Sequence, residues 1–144
     1  MVNEYEIKKQ ICEIGKRIYN QGMVAANDGN ISVKLNDNEF LCTPTGVSKG
    51  FMTPEYICKV DRNGKVLQAN KGFKPSSEIK MHMRVYKERP DVNAVVHAHP
   101  VYATGFAIAG SITALSGAAL VIFKVIAGLT GLMWVLYGLL AVIM

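Results

Sequence analysis

Near the N-terminus, apolar residues recur with a helical period. Ile7, Ile11, Ile14 and Ile18 fall at i, i+4, i+7 and i+11, with charged residues between them and Gly22 after the run. This spacing predicts an amphipathic helix over residues 3–21 whose isoleucine stripe faces a core. Beyond Gly22 the pattern becomes alternation. Asn27-Asp28-Gly29-Asn30 is a turn signal leading into residues 31–35, and Asn36-Asp37-Asn38 joins that segment to residues 40–42, so a hairpin is predicted. Thr43-Pro44-Thr45-Gly46 reads as a loop, and Thr53-Pro54-Glu55 as the start of a short helical turn. Residues 57–60 and 65–67 flank Arg62-Asn63-Gly64, a second hairpin signal.

Pro75-Ser76-Ser77-Glu78 predicts a helix start, with an N-cap serine and an acid in the first turn. Ile79, Met83 and Tyr86 form its apolar face and Pro90 ends it. Ala94-Val95-Val96 is a short apolar strand that delivers His97 and His99 before Pro100 breaks it, and residues 101–109 read as the beginning of another helix. The remainder differs in kind. From Ile112 to Met144 there is one charge, Lys124, followed by twenty uncharged, mainly apolar residues. A helix of that length is about 30 Å long, enough to cross a hydrocarbon core. Residues 111–144 are therefore expected to be an apolar helical tail, either a transmembrane segment or a continuation not native to a domain over residues 1–110. Trp134 and Tyr137 lie inside the run, so it lacks an aromatic belt.

Charge follows the same division. All 11 acidic residues and 15 of the 16 basic ones precede Ser111, a balance of 15 − 11 = +4. The lysines and arginines are dispersed among acids rather than clustered with aromatics, which excludes a nucleic-acid footprint. Cys12, Cys42 and Cys58 are odd in number and show no C-x-x-C spacing, so neither a disulfide framework nor a zinc ribbon is expected. The charged N-terminus lacks a signal-peptide apolar stretch. A cytoplasmic setting is expected, with membrane attachment through the tail as the alternative.

The candidate chemistry lies before the tail. His97 and His99, at i and i+2 of a strand, point to one face. With Glu78 they would supply two imidazoles and a carboxylate, a set suited to a divalent metal that keeps an open position. Zinc suits it best, though manganese, iron or cobalt also use such ligands. The plainer role for Glu78 is a first-turn acid on the helix dipole, worth under about 1 kcal/mol. His82, one turn later, reads as helix packing or support behind the metal. Three clusters offer to hold a phosphate: Ser76 and Ser77 at a helix start, the hydroxyl and open amide of Thr45-Gly46, and the Asn30 amide after Gly29. Each also fits ordinary turn or cap chemistry.

Taken together, Asn27-Asp28-Gly29-Asn30-Ile31-Ser32, Thr43-Pro44-Thr45-Gly46, Lys74-Pro75-Ser76-Ser77-Glu78 and Val96-His97-Ala98-His99-Pro100 resemble, in order and spacing, the class II aldolase/adducin family. Within it the likeness is greatest to the L-fuculose-phosphate aldolases, and it covers residues 5–109, the first half of the usual domain. The resemblance implies an α/β fold with a mainly antiparallel sheet covered by helices on both faces. It implies metal ligation, by zinc above all, through Glu78, His97 and His99. Phosphate binding would fall to Asn30, Thr45, Gly46, Ser76 and Ser77, and Glu78 would carry the proton. The implied reaction cleaves a ketose 1-phosphate to dihydroxyacetone phosphate and an aldehyde, in a homotetramer with sites between subunits.

The sequence also departs from the family. A third metal histidine and a partner-contributed tyrosine lie downstream in the family; here no histidine follows His99, and Tyr102 and Tyr137 stand in other contexts. The resemblance thus implies a truncated or fused member. Two alternatives stand beside an aldolase: a catalytically inactive adducin-like interaction module, and a sugar-phosphate epimerase or dehydratase on the same frame.

Overall fold

The computed structural model describes residues 3–101 and the backbone of 119–123. Helix α1, Glu4–Asn20, starts where the Asn3 side chain accepts a hydrogen bond from the Tyr5 amide at 3.0 Å. It stops at Gly22, whose φ of +67° lets the Gly22 and Met23 amides turn back onto the Tyr19 and Ile18 carbonyls, both at 2.9 Å. The isoleucine stripe behaves as its spacing predicts: Ile11 is buried, and Ile7, Ile14 and Ile18 pack partly buried around it.

Among the described residues six strands form one sheet: β1 Asn30–Lys34, β2 Glu39–Cys42, β3 Cys58–Asp61, β4 Val66–Gln68, β5 Ala94–Ala98 and β6 Ala119–Phe123. Their spatial order is β4-β3-β2-β1-β5-β6, and every neighbouring pair is antiparallel. Both predicted hairpins form. In the first, Asn36 Oδ1 accepts from the Asn38 and Glu39 amides; in the second, Asp61 Oδ1 accepts from those of Asn63 and Lys65. Short 3₁₀ turns, Lys49–Phe51 and Pro54–Tyr56, connect β2 to β3; the first of them was not predicted.

Alternation along the strands divides the interior in two. Ile31, Leu41 and Val96 face one way and pack with Ile11 of α1, Met52 and Ile57. Phe40, Cys42, Cys58, Val60 and Val95 face the other way and pack with Ile79 and Tyr86 of helix α2, Ile79–Glu88. Among the described residues the sheet thus has one helix on each face. Ser32, on the α2 face, is fully buried, and its hydroxyl bonds His82 Nδ1 at 2.7 Å and the Tyr86 hydroxyl at 2.8 Å. The network fixes the rotation of α2 over β1 and satisfies groups that burial would otherwise penalise.

Two expectations are corrected. Helix α2 begins at Ile79 with Glu78 at its cap, not with a serine cap followed by an acid in the first turn. The reason is a tertiary pairing: Pro75 bridges Pro44, the Ser76 amide bonds the Thr43 carbonyl, and the Thr45 amide bonds the Lys74 carbonyl. That extended segment delays the helix. The helical tail also fails over Ala119–Phe123, which form β6 against β5. Ala-Leu-Val-Ile-Phe is a continuous apolar run, and such a run serves a buried strand as well as a helix. Beyond Val101, the expected helix over 101–109 lies outside the described residues, as does the rest of 111–144. Among the described residues no helix is long and apolar enough to cross a membrane.

Leu41, with no exposed surface, fills the α1-side core at the centre of the sheet. Leu41→Ala should destabilise the chain by about 2–5 kcal/mol in urea unfolding. Leu67→Ala on the edge strand, 51% exposed, should stay within about 0.5 kcal/mol. Equal losses at the two positions would contradict this division of the interior.

Candidate metal and phosphate site

The site is assembled where β1 begins and β5 ends. Asn30 lies directly opposite His97 in the β1–β5 register, and Asn30, Ser32, Val95 and His97 all project to the α2 face. Gly29 makes the approach to β1 feasible. Its φ is +74°, and a Cβ there would stand 2.6 Å from Val24 Cγ1 and 2.8 Å from the His97 carbonyl oxygen. His99 follows β5 and is anchored by its amide to the Met23 carbonyl at 2.9 Å, with its ring centroid 4.7 Å from that of His97.

Glu78, at the cap of α2, reaches this corner. Its Oε2 accepts from Asn30 Nδ2 at 2.7 Å and lies 2.5 Å from His97 Nδ1. A carboxylate at that distance requires the proton on Nδ1, so the 3.3 Å approach of Asn30 Nδ2 to the same nitrogen is a contact between two donors. Burial raises the Glu78 pKa, but the Asn30 hydrogen bond and the charges of His97 and His99 outweigh it and leave the carboxyl below its ordinary value. Burial lowers the His97 pKa, against the opposing pull of Glu78. A neutral imidazole donating to an ionised carboxylate is the resulting state.

That tautomer leaves a lone pair on His97 Nε2, which is buried and has no partner. An orphaned imidazole nitrogen beside a second imidazole and a carboxylate fits a divalent ion. The fit is chemical rather than geometric: among the described residues, no group of three His, Cys, Asp or Glu side chains is arranged to hold a metal. Glu78 Oε2 lies 2.5 Å from the protonated Nδ1 of His97, on the side of the ring away from the open Nε2. Here the carboxylate orients the ring instead.

Beside this corner opens a cleft of about 180 Å³. Thr45, Gly46, Ser76 and Ser77 line it together with Asn30, Glu78 and His99. The Pro44–Pro75 bridge is what brings the two loops together, although they are thirty residues apart in sequence. Every residue singled out for phosphate binding therefore meets in one place. The Asn30 amide, however, is spent on Glu78, and its Oδ1 is buried without a partner. His82 takes no part in the cleft and belongs to the Ser32–Tyr86 network, where its Nε2 is also unpartnered. Sequence reasoning missed Lys49, which lines the cleft while only 1% exposed. A lysine in a loop carries no sign of its burial.

A family model described as the class II aldolase and adducin N-terminal domain matches residues 9–129, through β6. The chain belongs to that family. Over 100 residues it is 41% identical to an L-fuculose phosphate aldolase of Methanococcus vannielii, an alignment covering 69% of this chain and 52% of the relative. A 3-oxo-tetronate 4-phosphate decarboxylase of Haemophilus influenzae is 38% identical over 97 residues, covering 67% of this chain and 45% of that one. Among solved structures, YgbL from Klebsiella pneumoniae superposes with a TM-score of 0.68 at 29% identity, covering 74% of this chain and 50% of its own. The chain spans about half the length of the relatives it matches.

The buried network makes stability depend on pH. Burial above all holds the His82 pKa down from an ordinary 6.5 to about 4, and protonation of the neighbouring His97 acts in the same direction. Between those values the unfolded chain binds a proton that the folded chain refuses, so stability falls as pH falls from 6.5 towards 4, by about 3 kcal/mol in all. Urea unfolding at pH 7, 5 and 4 should show this decline, and His82→Asn should flatten it. An identical acid limb in the variant would assign the proton elsewhere.

Proposed function

We propose that this chain carries the phosphate cleft and catalytic corner of a metal-dependent aldehyde-lyase acting on a sugar 1-phosphate of the L-fuculose 1-phosphate type. The observation that carries this reading is the convergence of Thr45, Gly46, Ser76 and Ser77 on a cleft closed at one end by Glu78 and His99. Hydroxyl and amide donors hold the phosphate, and the rest of the substrate then extends towards the carboxylate and the imidazoles.

His97, through Nε2, and His99 would hold a divalent ion, zinc by preference, with Glu78 as the third ligand once its carboxylate turns from His97. Bound there, the ion supplies Lewis-acid stabilisation of an enediolate. The chain's own groups handle the proton. As the C3–C4 bond breaks, its electron pair moves onto the C2 carbonyl and the C4 hydroxyl proton leaves, releasing the aldehyde. Return of a proton to C3 completes dihydroxyacetone phosphate. Glu78 is placed to carry it: Oε2 is tied to Asn30 and His97, whereas Oε1 has no protein partner among the described residues. Asn30 steadies the carboxylate and His97 keeps it ionised. A homotetramer with sites shared between subunits belongs to this reading as a family expectation.

A second reading is favoured by the Haemophilus influenzae relative. Loss of carbon dioxide from a 3-oxo acid phosphate leaves the same kind of enolate beside a held phosphate, so the same cleft and corner suit it. An adducin-like binding module would have no use for the orphaned His97 Nε2.

The full chain, loaded with zinc, should release dihydroxyacetone phosphate from L-fuculose 1-phosphate in a coupled NADH assay. EDTA should abolish turnover, Glu78→Gln should lower kcat about 10²–10⁴-fold, and Ser77→Ala should act mainly on KM. Release of carbon dioxide from 3-oxo-tetronate 4-phosphate in place of that cleavage would select the decarboxylase. Turnover of neither substrate with metal present would leave the binding module.

A further inference from the structure

We propose that Lys49 is the charge-bearing and positioning residue of the phosphate cleft: its ammonium joins the two loops that form the walls and draws a phosphate dianion between them. The proposal rests on the reading of the cleft as an anion site. Lys49 Nζ donates to the Asn27 carbonyl at 3.1 Å and to the Val47 carbonyl at 2.7 Å. One acceptor precedes β1 on the Asn27-Asp28-Gly29-Asn30 turn; the other follows Thr45-Gly46. An ammonium has three N–H donors, and the third has no acceptor among the described residues.

Charge gives this donor its value. The other ionisable groups lining the cleft are Asp28, Glu78 and His99. Two of these are carboxylates, which repel a phosphate, and His99 belongs to the metal corner. Lys49 is the one lysine or arginine among the lining residues, and it is 1% exposed, so its charge is weakly screened. A buried ammonium bonded only to neutral carbonyls is poorly compensated. Burial accordingly lowers its pKa to about 8, with Asp28 pulling the other way. An incoming dianion would complete that compensation.

The residue is also held in place. A Cβ on Gly15 of α1 would lie 2.7 Å from the Lys49 carbonyl oxygen, and one on Gly50 would lie 2.5 Å from the Tyr19 ring. The 3₁₀ turn carrying Lys49 therefore sits hard against α1 at two glycines. From that support its buried side chain reaches the wall of the cleft.

The probe is inorganic phosphate, titrated into the full chain by calorimetry. Wild type should bind it, and Lys49→Met, shown folded by circular dichroism, should bind it at least tenfold more weakly. Lysine ¹³Cε NMR on the wild type gives a measurement independent of the variant's folding: phosphate should move the titration midpoint of Lys49 upward. A purely structural lysine would show no such shift. Equal affinity in folded Lys49→Met, or a Lys49 midpoint unmoved by saturating phosphate, overturns the role of Lys49 and leaves the anion cleft standing. Failure of wild type to bind phosphate overturns the cleft and this proposal together.

Discussion

Asn30 and His97 stand opposite each other across β1 and β5, and the geometry of the candidate site descends from that register. A slip of either strand by one residue would turn its side chain to the α1 face, because side chains alternate along a strand. Ile31 and Val96 on one face, and Ser32 and Val95 on the other, hold the register from both sides. The second constraint is the Pro44–Pro75 bridge, which sets the height at which α2 starts. With the strand register fixing His97 and the bridge fixing Glu78, the 2.5 Å approach of carboxylate to imidazole joins segments nineteen residues apart in sequence. Local propensity alone would have put the helix start at the serines.

The same region is where the chain departs from the ordinary rule that buried polar atoms are paired. Asn30 Oδ1, His82 Nε2 and His97 Nε2 are the buried side-chain atoms without partners among the described residues. All three belong to the polar cluster on the α2 face of β1 and β5. Each such atom costs about 1–3 kcal/mol when nothing replaces water. The two at the site itself, Asn30 Oδ1 and His97 Nε2, are hard to reconcile with a purely structural role, and folded chains break packing rules mainly where a site requires it. The Ser32–His82–Tyr86 network has the opposite character: it is inaccessible, so its hydroxyl–imidazole pair cannot act as a nucleophile and serves to lock the helix.

What the sequence discloses here follows the range of the interactions. The isoleucine stripe of α1 and the turns at Asn36 and Asn63 depend on neighbours within a few residues, and they form where the pattern places them. The four motifs name the cleft residues because each motif is a compact local unit. The start of α2 was misread, its cap falling at Glu78 rather than at a serine, because Pro75 is held by Pro44. β6 was misread because an unbroken apolar run carries no period, and only its partner β5 decides its form. Lys49 was missed for a related reason: its burial follows from the close approach of its turn to Gly15 and Tyr19 of α1, which lie far from it in the chain. The contact of Glu78 with His97 shows the limit from the other side. The motifs name both residues, and the structure brings them into contact at a distance no sequence encodes.

The distribution of charge around the cleft also bears on how binding and chemistry are kept apart. A site lined with exposed lysines or arginines would hold a phosphate strongly, but it would also clamp the Glu78 carboxylate and quench it as a proton carrier. Here the nearest donors are neutral: the hydroxyls of Thr45, Ser76 and Ser77 and the open backbone at Gly46. They contribute hydrogen bonds without competing for the carboxylate. The one ammonium is set back beneath the walls and bonded to backbone carbonyls, where it favours an anion in the cleft without an ion pair to Glu78. Asn30, a neutral amide, takes the place an arginine would otherwise fill beside that carboxylate. On the proposed reading, substrate affinity would be drawn from the phosphate end while the carboxylate exchanged its proton. Such a separation is what a reaction needs when one end of the substrate is gripped and the other is broken.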